Sequence, residues 1–326
     1  MNVTYHIKYV CLLSFCFLLI AAGLLLGPSD LTLGETINGL FMSDQSGSSR
    51  TIVWSIRIPR IVVSMVVGAS LGLAGVLIQS STRSTFGDPN LFGVGGGAVI
   101  FLAASAAGIV VAGEFGIFLG CVISSLVVGL VLSVLVSSKD LSPVKLAIMG
   151  IAVGALTVSV GTSVISHGRV FPTQVIGLLA GSFASSSWVA ALYAFPTFAG
   201  CFIISLLVSG RFAPIMLGDT LARSLGVNPI LMRNLAMGIA GILAGVAVYG
   251  GGLIGFVGLL SPHVTRRVLN SSPLNLVFGA SLIGAILALG ADQISRLLFA
   301  PTELPVGMTT TILGAPAMIY LALRMK

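Results

Sequence analysis

Among the residues that could do chemistry, His263 lies in the most informative stretch, Gly255 to Arg267, which reads GFVGLLSPHVTRR. A histidine can bind a metal or act as a general base, but either role needs further polar side chains nearby. No group of His, Cys, Asp and Glu in the chain has metal-ligand spacing. We therefore interpret His263 as a polar residue near the cytoplasmic mouth of a helix, and we predict no metal site. Pro262 should bend that helix, and Arg266 should help to hold its inner end at the lipid headgroups.

Asp292 is the only carboxylate within a long apolar run. Arg296 follows four residues later, so on a helix the two face each other with the acid first, which is the favourable order. One interpretation is a mutual ion pair near the outer end of a membrane span. The other is a proton relay, which would make the chain an ion-coupled secondary carrier, because such carriers usually need an ionisable group inside the bilayer.

The sequence contains no nucleotide-binding loop of the form Gly-x-x-x-x-Gly-Lys-Ser/Thr. It has four lysines, and none of them follows a glycine. We predict that this chain does not bind ATP through such a loop, carries no cofactor and is not an enzyme. A transporter driven by a separate motor is the natural interpretation.

The composition places the chain in lipid. Hydrophobic residues make up 56% of it and charged residues only 8%, and the mean hydropathy is +1.11. A soluble domain carries roughly a quarter charged residues, so a soluble surface could not be built from this sequence. The four cysteines form no Cys-x-x-Cys pair, and we interpret all of them as small buried hydrophobic residues: Cys11, Cys16, Cys121 and Cys201.

Uncharged runs of about 20 residues predict membrane-spanning helices. They predict an all-α membrane protein with ten spans in a single domain, residues 1–326. The triple glycine at 250–252 should break one long apolar run into a span and a shorter helix. A short surface helix is predicted near 173–181. The predicted spans are 9–29, 61–82, 89–113, 115–138, 146–168, 188–209, 230–249, 254–268, 273–297 and 305–324.

The distribution of arginine and lysine predicts the orientation. With the N-terminus inside, eleven of these residues face the cytoplasm and five face outward, as the positive-inside rule requires, so both termini are predicted to be cytoplasmic. The halves 61–168 and 230–324 each hold four spans in opposite starting orientation, which would fit an inverted repeat. Glycines four residues apart permit close helix crossings, for example Gly68/Gly72 and Gly241/Gly245.

Residues 211–230 form a moderately polar segment on the predicted cytoplasmic side. Asp219 can open a short helix and Gly226 can close it, because a carboxylate near a helix start and a glycine after its end are common boundary signals. Leucines recur at a spacing of four and form one apolar stripe: Leu217, Leu221 and Leu225. The segment is either a loop on lipid headgroups or a docking helix for a cytoplasmic partner.

Arg57 and Arg60, in the stretch WSIRIPR, are predicted to lie just outside the second span. They are three residues apart and can share a helix face, and Pro59 lies where the start of a helix tolerates it. One interpretation is interface anchoring by Trp54 and the arginines. The other is an outward basic patch for an acidic partner, with Arg296 as a third member.

Five stretches occur in a diagnostic order and spacing: WSIRIPRIVVSMVVGASLGLAGVLIQ, DPNLFGV, LGDTLARSLGV, GFVGLLSPHVTRR and ELPVGMTTTILGAPAMIYL. Together they closely resemble the FecCD-type permeases, which are the membrane subunits of bacterial importers for ferric siderophores, haem and cobalamin. The resemblance runs from about residue 50 to the C-terminus. Each stretch alone is a weak signal, but the combination is specific.

The resemblance implies a type II ABC importer permease fold of ten helices with an inverted repeat, in the inner membrane of a bacterium. It implies that two permease subunits pair, the second being a copy of this chain or a homologue. Two ATPase subunits, which hold ATP-Mg, would dock below, and a substrate-binding protein would dock outside through its glutamates. Membrane lipid is a further partner, and nucleic acid is not.

Three sets of residues match functional positions of the family. The resemblance implies that the binding protein docks on Arg57, Arg60 and Arg296. It implies that the ATPase couples through Leu217, Gly218, Asp219, Ala222, Leu225 and Gly226. It also implies a cytoplasmic gate in two connections, with the residues Ser84, Phe86, Leu141, Ser142 and Pro143.

The first gate connection departs from the family pattern. Relatives usually read Arg-Asn-Pro-Leu-Ala-x-Pro after the second span, whereas this chain reads RSTFGDP over residues 83–89. Phe86 therefore occupies a position that is often held by leucine.

The expected function is import of an iron–siderophore complex by alternating access. Cobalamin and haem stay open as substrates, because a large cavity lined by Gly, Ala, Ser and Thr does not declare its ligand. A self-powered carrier using Asp292 would instead transport without an ATPase, under a proton gradient. A membrane anchor or receptor would co-purify with no ATPase.

Overall fold

The computed structural model describes residues 3–27, 31–41, 48–137, 143–168, 172–216, 218–269, 271–300 and 302–324. Every regular element in these ranges is helical, and a π-helical segment, Ile52–Arg57, leads into the fourth α-helix. The α-helices are α1 (Val3–Leu25), α2 (Leu33–Phe41), α3 (Ser48–Thr51), α4 (Ile58–Thr82), α5 (Gly96–Ala106), α6 (Glu114–Ser137), α7 (Pro143–His167), α8 (Pro172–Ala180), α9 (Trp188–Met216), α10 (Asp219–Ser224), α11 (Pro229–Gly251), α12 (Val257–Val268), α13 (Pro273–Leu297) and α14 (Val306–Arg324).

The prediction of an all-α membrane protein is confirmed. Within the described residues, seven helices are long and apolar enough to cross a membrane: α1, the continuous helix that ends with α4, α6, α7, α9, α11 and α13. The shorter helices α5, α12 and α14 occupy the other three predicted spans. The short helix predicted near 173–181 is α8, which covers Pro172–Ala180.

One predicted span is wrong in extent. Residues 89–113 were expected to be one helix, but only Gly96–Ala106 is helical. Eleven residues at about 1.5 Å each cover about 16 Å, roughly half of a hydrocarbon core about 30 Å thick. Turns over residues 83–95 must therefore cover part of the depth. Irregular backbone at membrane depth is tolerated where protein surrounds it.

The second break lies where the triple glycine predicts it. Helix α11 ends at Gly251, and Gly252 has φ +71°, a left-handed backbone conformation that glycine adopts without strain. A Cβ atom on Gly252 would lie 2.5 Å from the carbonyl oxygen of Gly177, so the glycine is also needed for close packing. Phe256, with φ +68°, is the last residue before the short helix α12.

The two halves share an order of helix lengths, as the predicted inverted repeat requires. In the first half a long helix, α4, is followed by an irregular segment, the short helix α5, and two longer helices, α6 and α7. In the second half α11 is followed by an irregular segment, the short helix α12, and then α13 and α14. Broken helices at corresponding positions of two halves are common where transporters bind or pass their substrates.

Helix α4 is the centre of the bundle and packs against α9, α11, α12 and α13. Its small residues permit the closest of these contacts. A Cβ atom on Gly68 or Gly72 would overlap backbone carbonyl oxygens of α13, and one on Gly75 would overlap the carbonyl oxygen of Gly258 in α12. The predicted role of Gly68 and Gly72 in close helix crossing is therefore confirmed.

The cysteine prediction holds for three of the four residues. Cys16, Cys121 and Cys201 are buried, but Cys11 is exposed on α1. Most of α1 presents large apolar side chains outward, for example Phe17, so this surface suits lipid. All four cysteines are free thiols.

Candidate functional site

The ends of α4 and α13 that carry Arg57, Arg60 and Arg296 are called the outer end, following the predicted orientation. Arg57 is the last residue of the π-helical segment, and Arg60 lies in the first turn of α4. Arg296 lies in the last turn of α13, near enough to Arg57 and Arg60 for their positive charges to act on it. The structure therefore brings the three predicted docking arginines to one end of the molecule.

Arg60 is the centre of a dense ion-pair network at this end. Its Nε donates to both carboxylate oxygens of Asp292 at 3.1 Å, and its Nη2 donates to Oδ1 at 2.8 Å. The same guanidinium donates to both oxygens of Glu303, at 3.0 Å from Nη1 and 2.9 Å from Nη2. Arg60 thus holds α13 and the segment before α14 against the start of α4, with planar two-point contacts that lysine could not make.

Asp292 is fully buried and lies between two arginines. Arg296 Nε is 3.4 Å from Asp292 Oδ2, so the predicted pair within α13 exists. The geometry shows, however, that Arg60 is the principal partner of this carboxylate. Both carboxylate oxygens face arginine, which describes a structural anchor better than an open proton relay.

Arg57 is buried against the end of α1. Its Nη1 donates to the carbonyl oxygens of Leu24 and Leu25, the latter at 3.5 Å. A Cβ atom on Gly27 would lie 3.0 Å from Nη2, so the chain wraps closely around this guanidinium. Arg57 and Arg296 are each 3% exposed and Arg60 is 6% exposed. Their role in docking a binding protein stays a prediction.

The opposite end of the bundle, called the inner end, carries the predicted ATPase-coupling segment. The expected short helix exists as α10, Asp219–Ser224. Gly218 and Gly226 flank it with φ of +121° and +76°, conformations that a side chain would strain. Ala222 is fully buried and fixes the helix to the protein, whereas Leu225 is 60% exposed. Leu217, the first leucine of the predicted stripe, lies outside the described residues.

The carboxylate of Asp219 turns toward the membrane helices. It pairs with Arg83, the residue that ends α4, and with Arg233 of α11. Arg233 Nη2 donates to Oδ1 at 2.6 Å, and Nη1 donates to Oδ2 at 3.1 Å. Arg83 Nε also donates to the carbonyl oxygen of Ile215 at 2.9 Å, near the end of α9. The Asp219 carboxylate therefore joins α10 to the end of α4 and to α11, and Arg83 adds a contact with the end of α9.

The first predicted gate connection starts immediately after Arg83. Ser84 is buried, whereas Phe86 is 43% exposed. The carbonyl oxygen of Gly87 accepts a 3.4 Å hydrogen bond from Gln79 Nε2, and Arg266 of α12 donates to Gln79 Oε1 at 2.7 Å. The gate connection is thus held at its start by α10 and at Gly87 through Gln79.

The second predicted gate connection is only partly visible. Leu141 and Ser142 lie outside the described residues, and Pro143 is the first residue of α7. Their roles stay a prediction.

His263, on α12, is half-buried, and within the described residues its Nε2 has no hydrogen-bond partner. In the part of the chain that the structure describes, no group of three or more His, Cys, Asp or Glu residues could hold a metal ion.

The two irregular segments meet inside the bundle. Asp88 Oδ1 accepts hydrogen bonds from the backbone N–H groups of Asn90 and Leu91, at 2.9 and 3.1 Å. Asn90 Nδ2 donates to the carbonyl oxygen of Ile254 at 2.8 Å, which ties the first half to the second. A cavity of about 460 Å³ lies beside this junction, lined also by Phe256 and by residues of α14. Residues of both irregular segments therefore line the cavity.

Several of these residues have no clear sequence signal. In the sequence, Arg233 stands out only as a charge on the cytoplasmic side, and Arg83 only as the first residue of the gate connection. Glu303 lies in a polar connection, and Gln79 is a single polar residue in an apolar helix. Arg60 is 232 residues from Asp292 and 243 from Glu303, so no local spacing predicts these partners.

The profile of the FecCD transport family matches residues 12–324. The chain belongs to this family. The match extends the predicted resemblance, which began near residue 50, to almost the whole chain.

Relatives with assigned functions support the same family. The chain is 33% identical over 313 residues to the Fe(3+)-citrate import system permease protein YfmD of Bacillus subtilis, covering 96% of this chain and 93% of that protein. It is 31% identical to a probable iron chelatin transport system permease protein of Helicobacter pylori, covering 99% and 98% of the two chains. A solved inward-facing structure of a metal-chelate type ABC transporter matches with 26% identity and a TM-score of 0.82, covering 98% of this chain and 99% of that one.

The FecCD chain is therefore the permease subunit of an ABC importer for iron-chelate, siderophore, haem or B12 substrates. It is a transport component and not an enzyme, as predicted. Membership of a multi-pass permease family favours this function over a self-powered carrier using Asp292, and over an anchor without transport.

Proposed function

We propose that the chain is the permease of an importer for a ferric siderophore or a similar ferric chelate. The supporting observation is the extent of the matches. Relatives named for iron citrate, iron chelatin, siderophore or iron hydroxamate cover 96–99% of this chain. Relatives named for hemin or vitamin B12 cover 84–86% of it. Sequence identity alone favours neither group, since a vitamin B12 permease reaches 34%.

The proposed complex contains this chain, a second permease that is a copy or a homologue, two ATPase subunits and a substrate-binding protein. It lies in the inner membrane with both termini in the cytoplasm. ATP and Mg belong to the ATPase subunits, and the permease itself carries no cofactor. The absence of a nucleotide-binding loop supports this division of labour.

The proposed mechanism is alternating access. The loaded binding protein docks at the outer end, which carries the predicted docking residues Arg57, Arg60 and Arg296. ATP closes the ATPase pair at the inner end, and α10 transmits that movement to the membrane helices. A ligand can shift such an equilibrium only through different contacts in the two states, so binding protein and ATP must each favour one state.

The test is uptake into vesicles that contain the co-expressed complex, with ATP inside and binding protein outside. Labelled ferric citrate, a ferric hydroxamate, haemin and cobalamin are compared at equal concentration. We expect uptake of a ferric chelate that requires both ATP and binding protein. Accumulation of haemin or cobalamin alone would replace the iron-chelate proposal by its alternatives. Uptake without ATP, under a proton gradient and lost in Asp292→Asn, would overturn the ABC mechanism.

The docking face has its own test variant and a surface-charge control. Arg57→Glu reverses a charge in the predicted docking set, whereas Arg50→Glu reverses an exposed charge on the neighbouring helix α3. We expect Arg57→Glu to abolish stimulation of ATP hydrolysis by the binding protein, and Arg50→Glu to keep it. Equal stimulation in both variants, at equal amounts of folded complex, would remove Arg57 from the docking face.

A further inference from the structure

We propose that Asp219 is a positioning residue that links the ATPase-docking helix to the cytoplasmic gate, rather than a contact with the ATPase itself. This inference rests on the proposed function, because it assigns the route by which ATP hydrolysis reaches the permeation path. The link is the pair of Asp219 with Arg83, the residue at which the first gate connection begins.

The two faces of α10 carry different groups. Leu221 and Leu225 are 49% and 60% exposed and form the face available to a cytoplasmic partner. Ala222, fully buried, and the carboxylate of Asp219 point toward the membrane helices. Because the apolar leucines can bind a partner while the carboxylate is occupied by arginines, docking and transmission use separate side chains.

Arg83 is the point through which a movement of α10 reaches the gate. It adopts φ +52° at the end of α4, in a left-handed region that side chains rarely occupy. Its guanidinium bonds both Asp219 and the carbonyl oxygen of Ile215. A shift of α10 therefore pulls on the residue that sets the direction of the chain as it enters residues 84–88.

The rest of the gate connection is held by the last turns of α4 and, through them, by α12. Gly87 accepts a hydrogen bond from Gln79 of α4, and Gln79 accepts one from Arg266 of α12. A Cβ atom on Gly87 would lie 2.9 Å from atoms of Gln79 and Ile78, so this part of the connection packs tightly. The connection is thus pinned at Gly87 and coupled to α10 at its start.

The exposure of the junction suits a contact that must change during a cycle. The side chains of Arg83 and Asp219 are 34% and 32% exposed, so water can replace each partner when the pair opens. Arg233, only 10% exposed, keeps Asp219 attached to α11. The carboxylate can therefore release Arg83 without becoming an isolated charge.

The test is a double-mutant cycle in the complete complex with ATPase subunits and binding protein, reconstituted in vesicles with labelled ferric citrate or ferric hydroxamate. The variants are Asp219→Asn, Arg83→Gln and the double substitution, with Asp219→Glu as the conservative change. Leu225→Glu is the matched variant on the other face of α10. Arg267→Gln controls for the loss of one exposed cytoplasmic charge on α12.

The expected phenotypes of the two faces are different. Asp219→Asn and Arg83→Gln should keep the ATPase subunits bound but lower the chelate imported per ATP about tenfold, within the range of typical allosteric couplings. The double variant should be no worse than either single one, because both remove the same interaction. Asp219→Glu should recover part of the loss, and Leu225→Glu should release the ATPase.

Three results would overturn the link. The first is release of the ATPase by Asp219→Asn, which would make Asp219 a docking contact. The second is additive losses in the double variant, and the third is a loss of equal size in Arg267→Gln. Failure of the proposed function is distinguishable, since the wild-type complex would then import neither probe. In that case co-purification of the ATPase still tests the link: Asp219→Asn should retain the ATPase and Leu225→Glu should release it, and release by Asp219→Asn would overturn the link.

Discussion

The outer and inner ends of the bundle are both held by arginine–carboxylate pairs, but the two sets differ in burial. At the outer end Arg60 and Asp292 are 6% and 0% exposed, and their contact is a two-point pair between α4 and α13. At the inner end about a third of each side chain in the Arg83–Asp219 pair is exposed. A buried pair is costly to break, whereas a partly solvated pair exchanges its partner for water easily. The outer set therefore suits a fixed anchor, and the inner set suits a moving joint.

The largest expected effect comes from removing the buried carboxylate of the anchor. Asp292→Ala leaves Arg60 and Arg296 facing each other without their shared acid, and breaking a buried pair in this way costs about 3–5 kcal/mol. We expect a much lower thermal unfolding midpoint in detergent and a lower yield of folded complex. Wild-type stability in this variant would contradict the anchor.

A smaller effect is expected from the second acid of the same anchor. Glu303→Gln keeps the Arg60–Asp292 pair but loses the charge that bonds Nη1 and Nη2 of Arg60. The side chain of Glu303 is 28% exposed, so we expect about 1–2 kcal/mol, at the low end for hydrogen bonds to a charged group. Unfolding of Glu303→Gln and Asp292→Ala in the same detergent measures which variant loses more stability. A larger loss in Glu303→Gln would reverse the roles of the two acids.

The inner pair should contribute least to stability. Arg83→Gln removes a pair that is one-third exposed, and such pairs are worth about 0–1 kcal/mol. We expect an unfolding midpoint close to that of the wild type, together with poor use of ATP for transport. Destabilisation as large as that of Asp292→Ala would mean that the inner pair is also an anchor.

The smallest expected effect is a dependence on salt. Raising ionic strength from about 0.15 M to about 1 M shortens the screening length from about 8 Å to about 3 Å, which weakens exposed pairs more than buried ones. The difference in chelate imported per ATP between the wild type and Arg83→Gln should therefore narrow at high salt. The stability difference between the wild type and Asp292→Ala should stay nearly constant over the same range.

Hydropathy was sufficient to predict the membrane helices because nearly every long apolar run is one helix. The helix α13 begins and ends at the predicted residues, Pro273 and Leu297. The triple glycine correctly predicted the break after α11. The break before α5 was missed, because residues 89–95 carry no charge and are mostly apolar or glycine, and hydropathy does not distinguish turns from a helix.

The helix α2 was also missed, although its start carries a local signal. Thr32 and Glu35 form a reciprocal cap: the Thr32 N–H donates to Glu35 Oε2 at 2.8 Å, and the Glu35 N–H donates to Thr32 Oγ1 at 3.3 Å. The backbone hydrogen bond from Thr32, with a further one from its hydroxyl, lowers the pKa of the exposed Glu35 carboxyl. The spacing Thr-x-x-Glu predicts such a cap and could have revealed the helix.

The sequence could predict where the site residues lie but not which of them pair with each other. Family resemblance points to Arg60 and Asp219, yet it does not say which way a side chain turns. Asp219 is 136 residues from Arg83, and Arg60 is 243 residues from Glu303, so only the packed fold joins them. Long-range ion pairs of this kind have no periodicity that a single sequence could reveal.

The measurement that tests the account most directly is the amount of ferric chelate imported per ATP hydrolysed, in vesicles that contain wild type, Asp292→Asn or Arg83→Gln. Asp292→Asn, which alters the outer anchor, should reduce the amount of working complex while leaving the chelate imported per ATP unchanged. Arg83→Gln, which alters the inner joint, should leave the amount of complex unchanged and lower the chelate imported per ATP. A lower ratio in Asp292→Asn with an unchanged ratio in Arg83→Gln would contradict the assignment of a fixed outer end and a moving inner end.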